Sequence, residues 1–254
     1  MIDLHSHILP GLDDGVRTVE DALALARAAA AEGVEAIVAT PHVRADYPTT
    51  AAQMEDGVAG LTAALDEAGV PLRVLPGGEL DLEWLSRLDS EELRRFTLAG
   101  SGLYVLLEFP YDGWPLGLLP TIARLRAAGI TPLLAHPERN SSVQERPERL
   151  EEAIGAGALA QVTSASIEGR LGRRARAAAG RLLELGLVDV IASDSHGAEV
   201  RSFGLRAAAE SLRDAELARY LTVEAPAAIV AGRPLEPGRR LLRRSFSISR
   251  MMGR

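Results

Sequence analysis

Cysteine is absent from this 254-residue chain. Disulfides, thiolate metal sites and cysteine-nucleophile phosphatases are thereby excluded. Lysine is absent as well, all 28 basic residues being arginine. Schiff-base chemistry, a Walker-A lysine and a carboxylated-lysine metal bridge go with it. Aromatic residues make up only 4%. No apolar run approaches the roughly eighteen residues needed to cross a bilayer. The opening Met1-Ile2-Asp3-Leu4-His5 has neither a basic n-region nor an apolar h-region. No signal peptide is expected, and the chain reads as cytoplasmic.

What remains is ordinary for a folded protein, with 47% hydrophobic and 25% charged residues. The length suits one large core. The net charge of −7 conceals a split, because residues 237–254 carry six arginines and no acid, leaving −13 for residues 1–236. We expect a single domain over 1–236 and a basic tail over 237–254. An acidic body argues against a nucleic-acid partner, which requires a basic footprint.

Short apolar runs alternate with longer helical patterns. Strands are expected at Ile2–Leu4, Ala36–Ala39, Leu72–Leu75, Leu103–Leu107, Thr131–Ala135, Leu159–Val162 and Val188–Ala192. Helices are expected at Val19–Ala31 (capped by Thr18), Thr50–Ala68, Leu116–Ala128, Pro147–Ile154, Arg170–Leu185 and Phe203–Tyr220. Several end in glycine, at Gly69, Gly129, Gly155 and Gly186. Seven strand–helix units imply an α/β fold with a parallel sheet, and their number favours a barrel over an open sheet.

The five histidines all fall at or just past these strand ends: His5 and His7, His42, His136 and His196. Carboxylates take matching places, with Asp13 and Asp14, Glu79, Glu108 and Asp194. In parallel α/β folds the C-terminal strand ends converge on one face, where active sites sit. His-x-His on an extended segment puts both imidazoles on one side, within reach of a single ion. His5, His7, Asp14, His42, Glu79, Glu108, His136, Asp194 and His196 make nine candidate ligands, too many for one tetrahedral zinc and suited to two or three ions. Nitrogen and oxygen donors without sulfur fit manganese, iron or zinc better than magnesium or calcium.

These strings resemble the PHP (polymerase and histidinol phosphatase) superfamily. The resemblance rests on His5-Ser6-His7, Thr40-Pro41-His42, Gly78-Glu79, Leu107-Glu108, Ala135-His136-Pro137-Glu138-Arg139 and Ser193-Asp194-Ser195-His196. With Asp13-Asp14-Gly15 added, the chain is similar to bacterial tyrosine-protein phosphatases of capsule and exopolysaccharide operons, in order from residue 1 to about 235. The resemblance implies a distorted (β/α)7 TIM-like barrel and three metal positions: His5, His7, Glu108 and Asp194; Glu79, Glu108 and His136, with Glu108 bridging; and Asp14, His42 and His196. It implies Arg139 and Arg201 as phosphate-binding arginines, and manganese, iron or zinc as the metal. It further implies phosphotyrosine protein, the tail of a bacterial tyrosine kinase, as substrate. Thr163-Ser164 stands where Asn-Ser is the family pattern.

Other residues carry two readings each. Asp14 is preferred to Asp13 as ligand, leaving Asp13 for loop amides. Asp3 suits either a partner of a ligating histidine or a structural hydrogen bond. Glu138 reads as a surface ion pair with a neighbouring arginine. Arg44 is a further candidate for substrate contact, and Tyr47, Tyr111 and Trp114 are candidates to wall a pocket for an aromatic ring. The chemistry expected is hydrolysis of a phosphate monoester by a metal-activated hydroxide, with Arg139 and Arg201 spreading the transition-state charge. Alternatives are a PHP phosphatase of a small monoester such as histidinol phosphate, an amidohydrolase-type enzyme, and a silent metal-stabilised interaction module.

Overall fold

The structure, a computed structural model, describes residues 1–197 and 203–235. The basic tail 237–254 and Arg201 lie outside the described residues. Among the described residues nine strands are found: β1 Ile2–Ser6, β2 Ala36–Ala39, β3 His42–Val43, β4 Arg73–Leu75, β5 Glu79–Asp81, β6 Tyr104–Glu108, β7 Thr131–Ala135, β8 Leu159–Thr163 and β9 Val190–Ala192. They form two parallel sheets ordered β1-β2-β4 and β3-β5-β6-β7-β8-β9.

These sheets are the staves of one distorted barrel. Only Thr40-Pro41 separates β2 from β3, and only Pro76-Gly77-Gly78 separates β4 from β5. Proline has no N–H for a ladder, so each break falls where pairing has to lapse. The chain then resumes the same course, and the Glu79 amide donates to the Pro41 carbonyl at 3.1 Å. Counted this way the seven expected strands are all present. At the other edge β1 meets the segment after β9 through the Ser6–Ser195 bridge and the Asp194 amide, which donates to the His5 carbonyl at 2.8 Å.

Short helices at Ser90–Arg95, Ser141–Glu145, Ser164–Glu168 and Ala225–Val230 were not expected, and the expected helices are redrawn chiefly in three places. The stretch 203–220 is two helices, Leu205–Ser211 and Ala215–Arg219, because Asp214 turns its carboxylate onto the amides of Glu216 and Leu217 and starts a new one. The helix expected from Arg170 begins at Arg173, after Gly169 and Gly172 at φ +87° and +93°. Gly155 lies inside its helix, Glu148–Gly155, and Gly157 takes the left-handed turn instead. By contrast, Thr18 and Thr50 each complete a reciprocal capping box, with Asp21 and Gln53.

Two apolar clusters hold the barrel. The larger joins the helices to alternate strand positions such as Ile37, Val105, Leu107, Leu134 and Ile191. The smaller gathers Leu4, Val38, Leu106, Leu133 and Val190 from around the barrel and is closed by Ala225 and Ile229 of the helix Ala225–Val230. With one end plugged in this way, the carboxyl ends of the strands remain for polar groups. No helix among the described residues is long and apolar enough to cross a membrane.

Candidate metal centre

His5 and His7 leave β1 where its pairing with β2 slips register between Asp3 and Ser6, a bulge of the kind that re-aims side chains. Their Nε2 atoms approach to 3.3 Å. Glu79, the first residue of β5, is central: Oε2 lies 3.4 Å from both of those nitrogens and 2.9 Å from His42 Nδ1, and Oε1 lies 2.9 Å from His136 Nε2. Asp194 Oδ1 is 3.3 Å from His5 Nε2 and 3.4 Å from His7 Nε2. Asp14 Oδ1 faces His42 at 3.5 Å and His196 at 3.4 Å. Glu108 stands to one side, 3.7 Å from His42 and 3.9 Å from His136.

All nine sequence candidates therefore meet in one place. Among the described residues, donor atoms within 4.8 Å of one another form four groups: His7, Asp14, His42 and His196; His5, Glu79 and His136; His5, His7 and Asp194; His42, Glu79 and Glu108. The grouping differs from that implied by the resemblance: His7 joins Asp14, His42 and His196, His5 joins Glu79 and His136, and Glu108 falls with His42 and Glu79. Glu79 touches four histidines and holds the shared place that the resemblance gives to Glu108.

The rings are held by partners behind them. His5 Nδ1 donates to Gln161 Oε1 at 3.0 Å, and His7 Nδ1 donates to Asp13 Oδ2 at 2.7 Å. Each bond fixes the tautomer that leaves Nε2 as a lone pair facing the cluster. Asp13 also accepts from the amides of Gly15 and His42, so it orients the loop and a ring while Asp14 faces the donors. A Cβ on Gly15 would lie 2.3 Å from the His7 carbonyl oxygen, so only glycine lets the loop close over His7. Asp3 accepts from the Ser193 amide and hydroxyl, which is the structural hydrogen bond of its two readings. His136 and Asp194 sit at φ +34° and +50°, a conformation that non-glycine residues hold only under support, here at the ends of adjoining barrel strands.

Electrostatics follow from five imidazoles enclosed with five carboxylates. Burial opposes charge on Glu79 and Asp194, yet the adjacent histidines hold both carboxyls well below their ordinary range. Asp13 is likewise lowered, the His7 ring outweighing burial. Glu108 moves the other way, up to about 7, through burial and the charge of Glu79. Burial depresses His136 to about 4, whereas Glu79 and Asp194 overcome burial at His5 and raise it to about 9.

The donor set fits metal ions. Glu79 Oε2 and His42 Nδ1 are buried 2.9 Å apart without forming a hydrogen bond. The His5 and His7 Nε2 atoms face each other at 3.3 Å, with Nδ1 of each ring already engaged by Gln161 and Asp13. Both contacts call for positive charge between the atoms, and neutral imidazole with carboxylate is the donor chemistry that zinc, iron and manganese accept.

Beside the donors is a cavity of about 170 Å³ floored by six of them and walled by Arg44, Tyr111 and Arg139. Arg139 Nη1 donates to Asp194 Oδ2 at 2.8 Å, and its guanidinium lies 4.5 Å from the Tyr111 ring centroid. Arg44 pairs with Asp46 at 2.8 Å and Glu108 at 3.4 Å. Tyr47 stacks on His42 at 5.9 Å, whereas Trp114 packs edge-on against Phe109 and lines no part of the cavity.

Glu138 corrects the sequence reading. It is fully buried, and its Oε1 accepts from the Thr163 amide at 3.0 Å and the Ser166 hydroxyl at 2.7 Å. An ion pair on the surface was expected because Arg139 is its neighbour, but that arginine turns to Asp194. Gln161, Asn140 and Ser193 were also missed. Nothing in their residue types marks them, since each acts on an element distant in sequence.

The family model for capsular polysaccharide synthesis, CpsB/CapC, matches residues 1–231. The chain is 36% identical over 204 residues to tyrosine-protein phosphatase YwqE of Bacillus subtilis, covering 80% of each. It is 30% identical over 209 residues to putative tyrosine-protein phosphatase CapC of Staphylococcus aureus, covering 81% of each. A solved structure from work on YwqE of Bacillus subtilis and CpsB of Streptococcus pneumoniae, described as unique metal-dependent tyrosine phosphatases, superposes with a TM-score of 0.82 at 32% identity. That match covers 93% of this chain and 96% of the other.

Proposed function

Because this chain belongs to the CpsB/CapC family of capsular polysaccharide synthesis, we propose that it is a metal-dependent phosphatase that hydrolyses phosphotyrosine on protein. The substrate is the tail of a bacterial tyrosine kinase that controls capsule or exopolysaccharide synthesis. The observation that supports this best is the convergence of five imidazoles and their carboxylates beside a cavity walled by two arginines.

Two or three ions are held by His5, His7, Asp14, His42, Glu79, Glu108, His136, Asp194 and His196, manganese first and iron or zinc as the other fits. Glu79, which approaches four of the histidines, and Glu108, beside His42 and His136, would supply carboxylate charge to these ions. Bound cations supply Lewis acidity toward phosphoryl oxygens and lower the pKa of water. The chain's own groups do the rest. Arg139, fixed between Asp194 and the Tyr111 ring, presents its guanidinium to the non-bridging phosphate oxygens and spreads their charge. Arg201 serves as the second phosphate-binding arginine. Gln161 and Asp13 keep His5 and His7 in the tautomer that offers Nε2. A phenolate leaving group, with a conjugate-acid pKa of about 10, departs with less need of a general acid than an alkoxide.

Elemental analysis of purified protein, followed by kinetics on a phosphotyrosine peptide and on histidinol phosphate, tests the reading. Bound metal and preference for the peptide are expected. Full activity in verified metal-free protein would end the metal reading, and preference for histidinol phosphate would end the protein-substrate reading.

A further inference from the structure

The segment between β6 and the helix Leu118–Ala127, residues 109–117, supplies one residue of the cavity wall, Tyr111. It carries two of the three large hydrophobic side chains left exposed among the described residues, Tyr111 at 43% and Leu116 at 94%; the third is Val19, on a helix of its own. Single exposed apolar residues are normal, but these two share one short loop, and one of them, Tyr111, lines the polar cavity.

The loop is held firmly. Asn140, the only asparagine in the chain, donates through Nδ2 to the carbonyls of Pro110 and Gly113, both at 2.7 Å. The Ser141 amide donates to the Tyr111 carbonyl at 2.7 Å, and the Gly113 amide donates to Ser141 Oγ at 3.1 Å. These anchors follow Arg139 directly in sequence. The turn that carries the phosphate-binding arginine therefore also sets the position of the aromatic wall. Among the described residues, every other one lining the cavity bears a charge or an imidazole, and Tyr111 is the one of them that offers a face to an apolar group.

We propose that this loop selects the leaving group: Tyr111 packs against the phenyl ring of phosphotyrosine, and Leu116 meets an apolar side chain next to that tyrosine in the substrate chain. The assignment rests on the phosphotyrosine-phosphatase reading above. Aromatic rings favour offset or edge contacts with a neighbouring ring, which an alkyl phosphate cannot make. A rigid loop gains such contacts at little cost in ordering.

The test uses metal-loaded enzyme and two phosphotyrosine peptides that differ only in leucine or serine beside the tyrosine, with inorganic phosphate as a competing ligand. Tyr111→Ala is expected to raise KM for both peptides about fivefold, with Tyr111→Phe within about twofold of the parent. Metal content and the inhibition constant of inorganic phosphate should not move. Leu116→Ser should raise KM for the leucine peptide and erase the difference between the two. Unchanged KM in Tyr111→Ala would overturn the assignment. So would a phosphate inhibition constant that rises in step with KM, since Tyr111 would then only steady Arg139. A parent enzyme with no turnover of either peptide would overturn the phosphotyrosine reading itself.

Discussion

β7 and β8 lie side by side, paired from Leu133–Leu159 to Ala135–Gln161, yet they serve the site in opposite ways. β7 runs straight into His136 and Arg139, the groups that meet Glu79 and Asp194. β8 ends at Thr163 with no candidate ligand. Its Gln161 instead accepts from His5 Nδ1 and, at 3.4 Å, from the His136 amide, tying a ring on β1 to the backbone after β7. Its Thr163 amide, with Ser166 just beyond, holds Glu138. His136 at φ +34° would relax toward an ordinary turn at a gain of roughly 1–3 kcal/mol if nothing opposed it. The Glu138 anchor opposes it two residues on. One strand brings reactive groups; its neighbour keeps them where they are.

Four substitutions sharpen or break that contrast. The largest effect is expected from His136→Ala, which removes a donor beside Glu79: metal content by elemental analysis and turnover should both be lost. Retention of both would show that β7 supplies no ligand. Arg139→Ala should keep its metals and lose about 10²- to 10³-fold in kcat, as removal of a transition-state donor does. Unchanged kinetics would take Arg139 out of the site. On the supporting strand, Gln161→Met frees the His5 ring to rotate and change tautomer, and about 10- to 100-fold weaker metal binding is expected in competition with a chelator. Equal affinity in that titration would refute the supporting role of β8. The smallest effect is on the fold itself. Glu138→Ala leaves the Thr163 amide and Ser166 hydroxyl without their acceptor and should lower stability by about 1–3 kcal/mol in urea denaturation. A change within error would mean that water replaces the carboxylate.

Legibility in the sequence followed the same divide. His5, His7, His42, His136 and His196 could be placed at strand ends because apolar runs and glycine stops are local signals. Thr18 was readable as a cap for the same reason, bonding three residues ahead, whereas Thr50, counted as the first residue of its helix, is also its cap. β3 and β5 were not readable, since Pro41 and Gly77-Gly78 look like terminators and only neighbouring strands draw the chain back into pairing. The break at Asp214 was missed because its apolar pattern runs on through a cap that interrupts the helix. Glu138 was misjudged because a glutamate beside an arginine suggests a surface pair, while its acceptors' donors lie 25 and 28 residues away.

By itself the sequence determined the chemistry on offer: nitrogen and oxygen donors, no sulfur, no lysine, and arginine next to a strand-end histidine. Those are properties of side chains and survive any folding. The tertiary structure alone decided which donors share a place, that Asp13 holds the His7 ring, that Glu79 is central, and that Tyr111 rather than Trp114 faces the cavity. Each of those rests on distances of a few ångströms, most of them across the barrel between residues tens to nearly two hundred positions apart. Local periodicity places a residue on its strand, but closure of the barrel sets its neighbours.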